Sequence, residues 1–422
     1  MSLAAILVSR FHADQSIMEG MKARYQYRFY PTTGQQRELA KLFGCCRVVW
    51  NDALALCRQA EKLPKNSDLQ KQCITQAKQT PERAWLAEVS NIPLQQSIAD
   101  LGVAYRNFFQ SIKGKRKGAK VNPPRFKKRN NRQAARLTRG GFSLKGNKVY
   151  LAKIGQVKVR WSRALPSEPS SVTIIKDSCG RYFLSFVVEV MPKVVPFIRE
   201  FIGVDLNIRE HVASNGERFK LPKFKAMDRR IARLQRRWSR QQKGSNRREA
   251  MRLKIAKLKA RKKNILKDAL HKFSTRLVRE NQVVCLEDLN VKGMVRNHCL
   301  ARAISECGFG MLRSLVESKV AQHEDREVRI IDRWEPSSQV CHICRYRWGK
   351  LDLSIREIRC LQCGTVHDRD SNSSHRIEQS GMEQSHDSKR IVRAGKTGIP
   401  AQPIDLSSHG KGIEGIQLCL QV

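Results

Sequence analysis

Two sets of side chains in this sequence are spaced for chemistry. Cys341-x-x-Cys344 and Cys360-x-x-Cys363 form two short pairs whose four thiolates would close a tetrahedral coordination sphere, the pattern of a structural zinc site. A redox pair or chance spacing is the blander reading. The second set is carboxylates at the ends of apolar runs. Asp205 closes Phe201-Ile202-Gly203-Val204-Asp205, Glu287 closes Val283-Val284-Cys285-Leu286-Glu287, and His367-Asp368-Arg369-Asp370 follows the second cysteine pair. Neighbouring strands can bring such ends together. Clustered carboxylates repel, so keeping them ionised needs cations, and two Mg²⁺ ions can activate a water, stabilise a leaving oxygen and clamp a phosphodiester. Taken singly, each acid is as well explained as a strand-end or capping residue. Asp288 beside Glu287 and Asp368 beside Asp370 leave the choice among neighbours open.

Elements able to position these groups are legible around them. Phe201–Asp205, Val283–Glu287 and Val328–Ile331 read as buried strands, and Asn215-Gly216 between apolar runs predicts a hairpin. From Leu221 to Glu280 the chain is dominated by Lys and Arg, with Asp228, Glu249, Asp268 and Glu280 its only acids. Met227, Ile231, Leu234 and Trp238 recur with helical period, as do Met251, Ile255, Leu258, Leu266, Leu270, Phe273 and Leu277 after a break at Gly244-Ser245-Asn246. A helical hairpin with one apolar stripe and a cationic remainder fits a surface that faces nucleic acid, although solvation alone would also explain it.

Upstream, Tyr25, Tyr27 and Phe29 alternate as a strand ended by Pro31, and Thr33-x-x-Gln36 has the spacing of a capping box. Helices follow from Leu39 to Leu54, around Asp68 to Gln79, and around Pro93 to Ile112, which predicts an all-helical lobe. Lys113 to Arg139, around Pro123-Pro124-Arg125-Phe126-Lys127-Lys128, reads as a basic loop or arm that contacts phosphate. Short runs at 142–144, 149–151, 157–161, 172–175 and 182–190 predict an antiparallel barrel or sheet that the early strand could join. Beyond Ser380 the composition predicts a disordered tail, and residues 1–20 an N-terminal extension.

The 422 residues carry 81 Lys+Arg against 38 Asp+Glu, a net charge of +43, and 41% hydrophobic residues, enough for real cores in two or three domains. Such a charge calls for a polyanionic partner, with nucleic acid favoured over membrane. No apolar run approaches the roughly 20 residues that span a bilayer, and no leader pattern is evident. Of 13 cysteines, those outside the two pairs are scattered, which suits a reducing, cytoplasmic setting rather than a disulfide framework.

The motifs together resemble the TnpB family, the OrfB proteins of insertion sequences and relatives of the type V CRISPR effectors. Carrying the resemblance are Gly203-Val204-Asp205-Leu206-Asn207, Leu286-Glu287-Asp288-Leu289-Asn290-Val291-Lys292-Gly293-Met294, Asp332-Arg333-Trp334 with Pro336-Ser337-Ser338, both cysteine pairs, and Cys363-Gly364-Thr365-Val366-His367-Asp368-Arg369-Asp370-Ser371-Asn372. It spans Met21 to about Ile377, taking in Tyr27-x-Phe29-Tyr30-Pro31-Thr32 and Pro124-Arg125-Phe126-Lys127. The resemblance implies an α/β multidomain protein. An antiparallel β-barrel wedge domain (21–31 and 113–195) would carry a helical recognition lobe (32–112). An RNase H-like RuvC nuclease domain (196–340 and 364–380) would enclose a zinc ribbon (341–363), and a tail (381–422) would follow.

The implied activity is metal-dependent, RNA-guided DNA cleavage by a transposon-encoded endonuclease, with a nuclease-inactive RNA-guided binding protein or a strand-transferring transposase as alternatives. Asp205, Glu287 and Asp370 match the family's magnesium-binding acids, Asp370 being chosen over Asp368 because Asp370-Ser371-Asn372 fits its Asp-x-Asn pattern. The implied cofactors are structural Zn²⁺ on the four cysteines, catalytic Mg²⁺ and a guide RNA. The implied partners are that RNA and single- or double-stranded target DNA, placing the protein at the nucleoid when bound. Expected nucleic-acid contacts are Arg125, Lys127, Lys128, Arg229, Arg233, Arg236 and Arg240, because an RNA–DNA heteroduplex is held through its backbone in a cationic channel. The chain departs from the family at Ser373-Ser374, usually two alanines, at Asn207, commonly glycine, and at Arg345, where glycine usually follows the second cysteine.

Overall fold

A computed structural model describes residues 20–116, 120–129, 132–192, 194–352, 354–384 and 391–393. The proposed N-terminal extension, except Gly20, and most of the tail lie outside them. The chain divides into two compact units, one formed by residues 23–188 and 224–263, the other mainly by 189–223 and 264–398.

The first unit is built on a seven-stranded sheet. Its strands are β1 (Met21–Tyr30), β2 (Gln133–Thr138), β3 (Phe142–Lys145), β4 (Lys148–Leu151), β5 (Gly155–Arg160), β6 (Ser171–Lys176) and β7 (Tyr182–Val190), in the order β2-β6-β7-β1-β5-β4-β3. Tyr27, Trp161 and Phe186 pack beneath it with ring centroids 4.7–5.9 Å apart. Helices are inserted between β1 and β2, chiefly α1 (Thr33–Gln59) and α2 (Asn91–Ile112). Leu39, Leu42, Phe43, Cys46, Val49, Ala53 and Leu54 of α1 are buried, as are Leu94, Ile98, Leu101 and Tyr105 of α2. Burying each Leu-sized side chain stabilises the lobe by about 1.5–3 kcal/mol.

Three local expectations are corrected. The capping box is Thr32 with Gln35, one residue earlier than Thr33 with Gln36. The Thr32 hydroxyl accepts from Gln35 N at 3.3 Å, and the Gln35 side chain accepts from Thr32 N at 3.1 Å. Both registers of Thr-Thr-Gly-Gln-Gln satisfy the spacing, and the earlier one is adopted, which starts the helix directly after the Pro31-Thr32 break. The basic stretch up to Arg139 contains strand β2, in which Ala135 and Leu137 are buried and Arg136 pairs with Asp100 at 2.5 Å. Third, the helix that opens at Arg369 continues through Met382, and Ile391–Arg393 adds to the second unit's sheet, so ordered chain extends beyond Ser380. The main chain of the strand Glu327–Ile331 offers an edge there, and three residues are too few to leave a sequence pattern.

A helical hairpin completes the first unit. Helix α3 (Lys225–Ser239) meets the first half of α4 (Asn246–Glu280) along Met227, Ile231, Leu234, Trp238, Met251, Ile255 and Leu258. Lys262 pairs with Asp228 at 2.7 Å, and Arg248 lies 4.4 Å over the Trp238 ring. By compactness this hairpin falls with the N-terminal unit, not with the rest of the segment 196–340 expected for a nuclease domain. The boundary lies inside α4.

The second unit carries a six-stranded sheet of β8 (Arg199–Leu206), β9 (Glu210–Ala213), β10 (Arg218–Lys220), β11 (Asn281–Glu287), β12 (Glu327–Ile331) and an edge strand Ile391–Arg393, in the order β10-β9-β8-β11-β12-edge. β8, β9 and β10 are antiparallel, as the Asn215-Gly216 turn requires, while β11 runs parallel to both β8 and β12. The long excursion through α3 and α4 supplies the crossover that a parallel β8–β11 pair needs. Helix α5 (Phe309–Val320) precedes β12. A small hairpin of β13 (Glu357–Arg359) and β14 (Val366–Asp368) then leads into α6 (Arg369–Met382), which packs on β8. No helix among the described residues is long and apolar enough to cross a membrane.

Candidate active site and cysteine cluster

Register puts the first two acids side by side. Cys285 lies opposite Gly203 and Leu286 opposite Val204, so the next step along the parallel pair brings Glu287 beside Asp205. Side chains alternate along a strand, so Gly203 and Asp205 share a face, as do Cys285 and Glu287. Helix α6 lies on that face, and two glycines permit its close approach. A methyl group on Gly203 would sit 2.1 Å from Ser374 O, and one on Gly381 would sit 2.1 Å from Cys285 Sγ. One helical turn before Ser374 is Asp370, whose charge is felt at Asp205.

The electrostatics reflect this convergence. Burial first, then the charges of Glu287 and Asp370, push the Asp205 carboxyl well above the usual range, against the opposing pull of a hydrogen bond from Asn207 and the charge of Arg369. Burial also raises Glu287, partly offset by the Ser337 hydroxyl, which donates to Glu287 Oε1 at 3.1 Å. Asn207 Nδ2 donates to Asp205 Oδ2 at 2.6 Å, and Arg356 reaches Asp370 at 3.5 Å. Glu287 and Asp370 both lie near enough to raise Asp205, and Arg356 and Arg369 are the positive groups beside the three acids.

The neighbouring acids have other partners. Asp368 is the N-cap of α6, accepting from Ser371 N at 2.9 Å, and it pairs with Arg218 at 2.7 Å. Asp288 is held by Arg313 at 3.0 Å and Arg333 at 2.8 Å.

The four cysteine sulfurs of 341, 344, 360 and 363 all lie within 4.8 Å of one another, with Cys341–Cys363 at 3.8 Å and Cys344–Cys360 at 3.5 Å. A tetrahedral ion with Zn–S bonds of about 2.3 Å needs edges of about 3.8 Å, so the cage fits zinc. The two turns share one backbone form: Arg345 N donates to Cys341 O and Gly364 N to Cys360 O, and the residue after each second cysteine is left-handed, Arg345 at φ 63° and Gly364 at φ 70°. His367 Nε2 lies 3.2 Å from Cys341 Sγ, in the position of an outer partner that orients a ligand. Asn372 ties this module to α6, accepting from His342 N at 2.9 Å and donating to Val340 O at 2.8 Å.

Of the expected nucleic-acid contacts, Arg229, Arg233, Arg236 and Arg240 are exposed along α3 and beyond its end, and Arg125 and Lys128 are exposed. Lys127 is engaged internally: its ammonium lies 3.8 Å over the Trp50 ring, and burial pulls it down to about 8. The segment itself is docked on α1, with Trp50 Nε1 donating to Arg125 O and Arg58 to Pro124 O. Sequence reasoning assigned no role to Asn207 or Ser337. Each is a polar residue within a motif that carries the resemblance, which alone does not signal contact with a particular acid. Ser374, one of the departures, is fully buried and donates its hydroxyl to Ser371 O at 2.8 Å, so a serine fits on the buried face of α6.

The OrfB_IS605 profile, described as "Probable transposase", matches residues 185–298. A helix-turn-helix profile of the same family matches 18–63, and a Cas12f1-like TNB domain profile matches 309–377. A Streptomyces pristinaespiralis protein named "Putative RNA-guided DNA endonuclease" is 40% identical over 92% of this chain and 98% of its own length. The chain belongs to the OrfB (TnpB) family. An Escherichia coli K12 OrfB relative, "Putative RNA-guided DNA endonuclease InsQ", is 29% identical over 85% of this chain and 92% of its own. Among solved structures, a chain of a Cas12f1–sgRNA–target DNA complex aligns with a TM-score of 0.47 and 13% identity, covering 82% of this chain and 81% of that one.

Proposed function

We propose that this OrfB-family protein is an RNA-guided DNA endonuclease that hydrolyses phosphodiester bonds at Asp205, Glu287 and Asp370. The observation that carries the reading is the convergence of these three carboxylates, two in register at the ends of parallel strands and one in the first turn of the helix packed over them. The relatives named as RNA-guided DNA endonucleases support it over nearly the full chain. The strand order, three antiparallel strands followed by two parallel ones, supports an RNase H-like (RuvC) domain within 196–340 and 364–380, apart from the helical hairpin that falls with the first unit, and the cysteine cage supports a zinc ribbon at 341–363. The seven-stranded sheet would then be the wedge domain and the inserted helices the recognition lobe.

Divalent cations held by the three acids would supply water activation and charge neutralisation at the scissile phosphate. This chain's own residues do the positioning. Asn207 holds Asp205 by one oxygen, Ser337 fixes Glu287, and Asp368 caps the turn that presents Asp370. The exposed arginines of α3 contact guide or target backbone through charge, without reading bases.

The test is cleavage of a guide-matched DNA by the purified protein–RNA complex in Mg²⁺. Asp205→Ala, Glu287→Ala and Asp370→Ala each abolish cutting while guided binding persists. Asp368→Ala, which removes only a cap and an exposed ion pair, lowers stability by about 0.5–2 kcal/mol and still cuts. A dead Asp368→Ala with an active Asp370→Ala overturns the assignment of the third acid. A wild-type complex that binds its target but never cuts in Mg²⁺ or Mn²⁺ overturns the nuclease reading.

A further inference from the structure

Between β12 and the first cysteine the chain makes a short loop that begins and ends at the same acid. Ile331, the last residue of β12, lies directly opposite Glu287 in the parallel ladder, and six residues later Ser337 returns to donate its hydroxyl to Glu287 Oε1 at 3.1 Å. Each side of the loop is pinned. Asp332 accepts from Trp334 N at 2.9 Å, Glu335 N bonds to Asp332 O, and Ser337 N bonds to Glu335 O. Arg333 donates to Asp288 O at 3.0 Å and pairs with the Asp288 carboxylate at 2.8 Å.

At the apex of this fixed loop stands Trp334, 85% exposed. Three residues of chain reach at most about 10 Å, so the indole is carried within that distance of the Glu287 register position, plus its own length. A large aromatic ring held in water on a braced loop beside an acid cluster does not contribute to any core. Trp348, by contrast, donates its indole N–H to Ser338 O at 3.2 Å and is only partly exposed. Nucleic-acid bases have two apolar faces that stack on aromatic side chains regardless of sequence, so a ring held on this loop offers a platform to the bases of an unpaired strand that reaches the acids.

We infer that Trp334 is a base-stacking residue that positions a single DNA strand against the acid cluster. The inference rests on the nuclease reading above. It names a positioning role, because the indole acts on the base next to the scissile phosphate and not on the phosphate itself. Stacking is indifferent to base identity, so the ring would serve any guide-specified target.

The experiment uses the full protein–RNA complex with target DNA carrying 2-aminopurine at successive positions through the cut site. In an Asp205→Ala background, which binds without cutting, the probe is quenched at one or two adjacent positions, and Trp334→Ala removes that quenching. In the active enzyme, Trp334→Ala lowers cleavage about tenfold or more at sub-saturating DNA. Trp334→Phe restores most of the loss and Trp334→Leu does not. Leu361→Ala, which deletes an apolar side chain 81% exposed on the second cysteine turn, has no effect. Zinc content and melting temperature stay at wild-type values in every Trp334 variant.

Equal cleavage by Trp334→Ala and wild type overturns the inference while leaving the nuclease reading intact. So does quenching that survives Trp334→Ala, or a matching loss in Leu361→Ala. A wild-type complex that never cuts any matched DNA fails the nuclease reading instead, and the 2-aminopurine signal still reports whether Trp334 stacks.

Discussion

Gly203 is the position at which a single methyl group should separate fold from activity. Its Cβ would lie 2.1 Å from Ser374 O, 2.5 Å from Glu378 N and 2.9 Å from Glu378 Cβ, where ordinary contact starts near 3.4 Å. Two of these three atoms are backbone, so no side-chain rotation relieves the clash, and α6 must move away from β8 by about 1 Å. Overpacking of this kind costs about 1–3 kcal/mol, which a domain of this size survives. The consequence for the site is larger. Asp205 is two residues along the strand from Gly203, and Asp370 is one turn along the helix from Ser374, so the displacement opens the gap between two acids proposed to hold the same cations. A misplacement of about 1 Å can cost on the order of 100-fold in rate. Gly203→Ala should therefore fold, bind guide RNA and matched DNA, and melt only a few degrees lower, while single-turnover cleavage falls by about two orders of magnitude. Wild-type cleavage with an unchanged melting temperature would refute the reasoning, because it would mean that the helix does not rest on that glycine.

Replacing Cys360 and Cys363 together by serine should take bound zinc, measured by atomic emission on the purified protein, from one ion per chain to none; retained zinc would remove these residues from the ligand set. Gly364→Ala, at φ 70°, should cost about 1 kcal/mol and make zinc easier to extract with a chelator. Arg345→Gly, at φ 63°, should be neutral or stabilising by up to about 1 kcal/mol, because what it gives up is an exposed pair with Glu383; the two variants behaving alike would contradict the shared backbone form. His211, enclosed by the rings of Phe219, Phe273 and Phe309, is pulled down by burial to about 4. The unfolded chain titrates near 6.5 and takes up its proton first, so stability should fall as pH drops from about 6.5 toward 4, by up to about 3 kcal/mol. His211→Phe should flatten that part of a urea-midpoint-against-pH curve, and parallel curves for the two proteins would rule the histidine out.

The acids and cysteines were legible because each sits where a pattern changes: Asp205 and Glu287 close apolar strands, and paired cysteines have few alternative meanings. Strand β2 was not, because Arg132, Arg136 and Arg139 gave its segment the look of a cationic loop and the buried residues between them are as modest as Ala135 and Leu137. The choice of Asp370 over Asp368 came from family resemblance; the cap and ion pair that occupy Asp368 are tertiary facts that spacing does not encode. Likewise the donor from Ser337 to Glu287 depends on a loop folding back on its own starting strand. Lys127 keeps the company of Arg125 and Lys128 in a run that looks made for phosphate, while its seat on Trp50 depends on a helix far upstream.

Asn372 gives the cysteine module a second meaning. It stands two residues after Asp370 and holds the backbone on both sides of Cys341, through Val340 O and His342 N. An ion that orders Cys341 thereby also orders the turn presenting the third acid, and the work of binding that ion and the work of placing Asp370 are parts of one equilibrium. Loss of that ion would loosen the turn that carries Asp370 as well, although the metal and the acid share no bond.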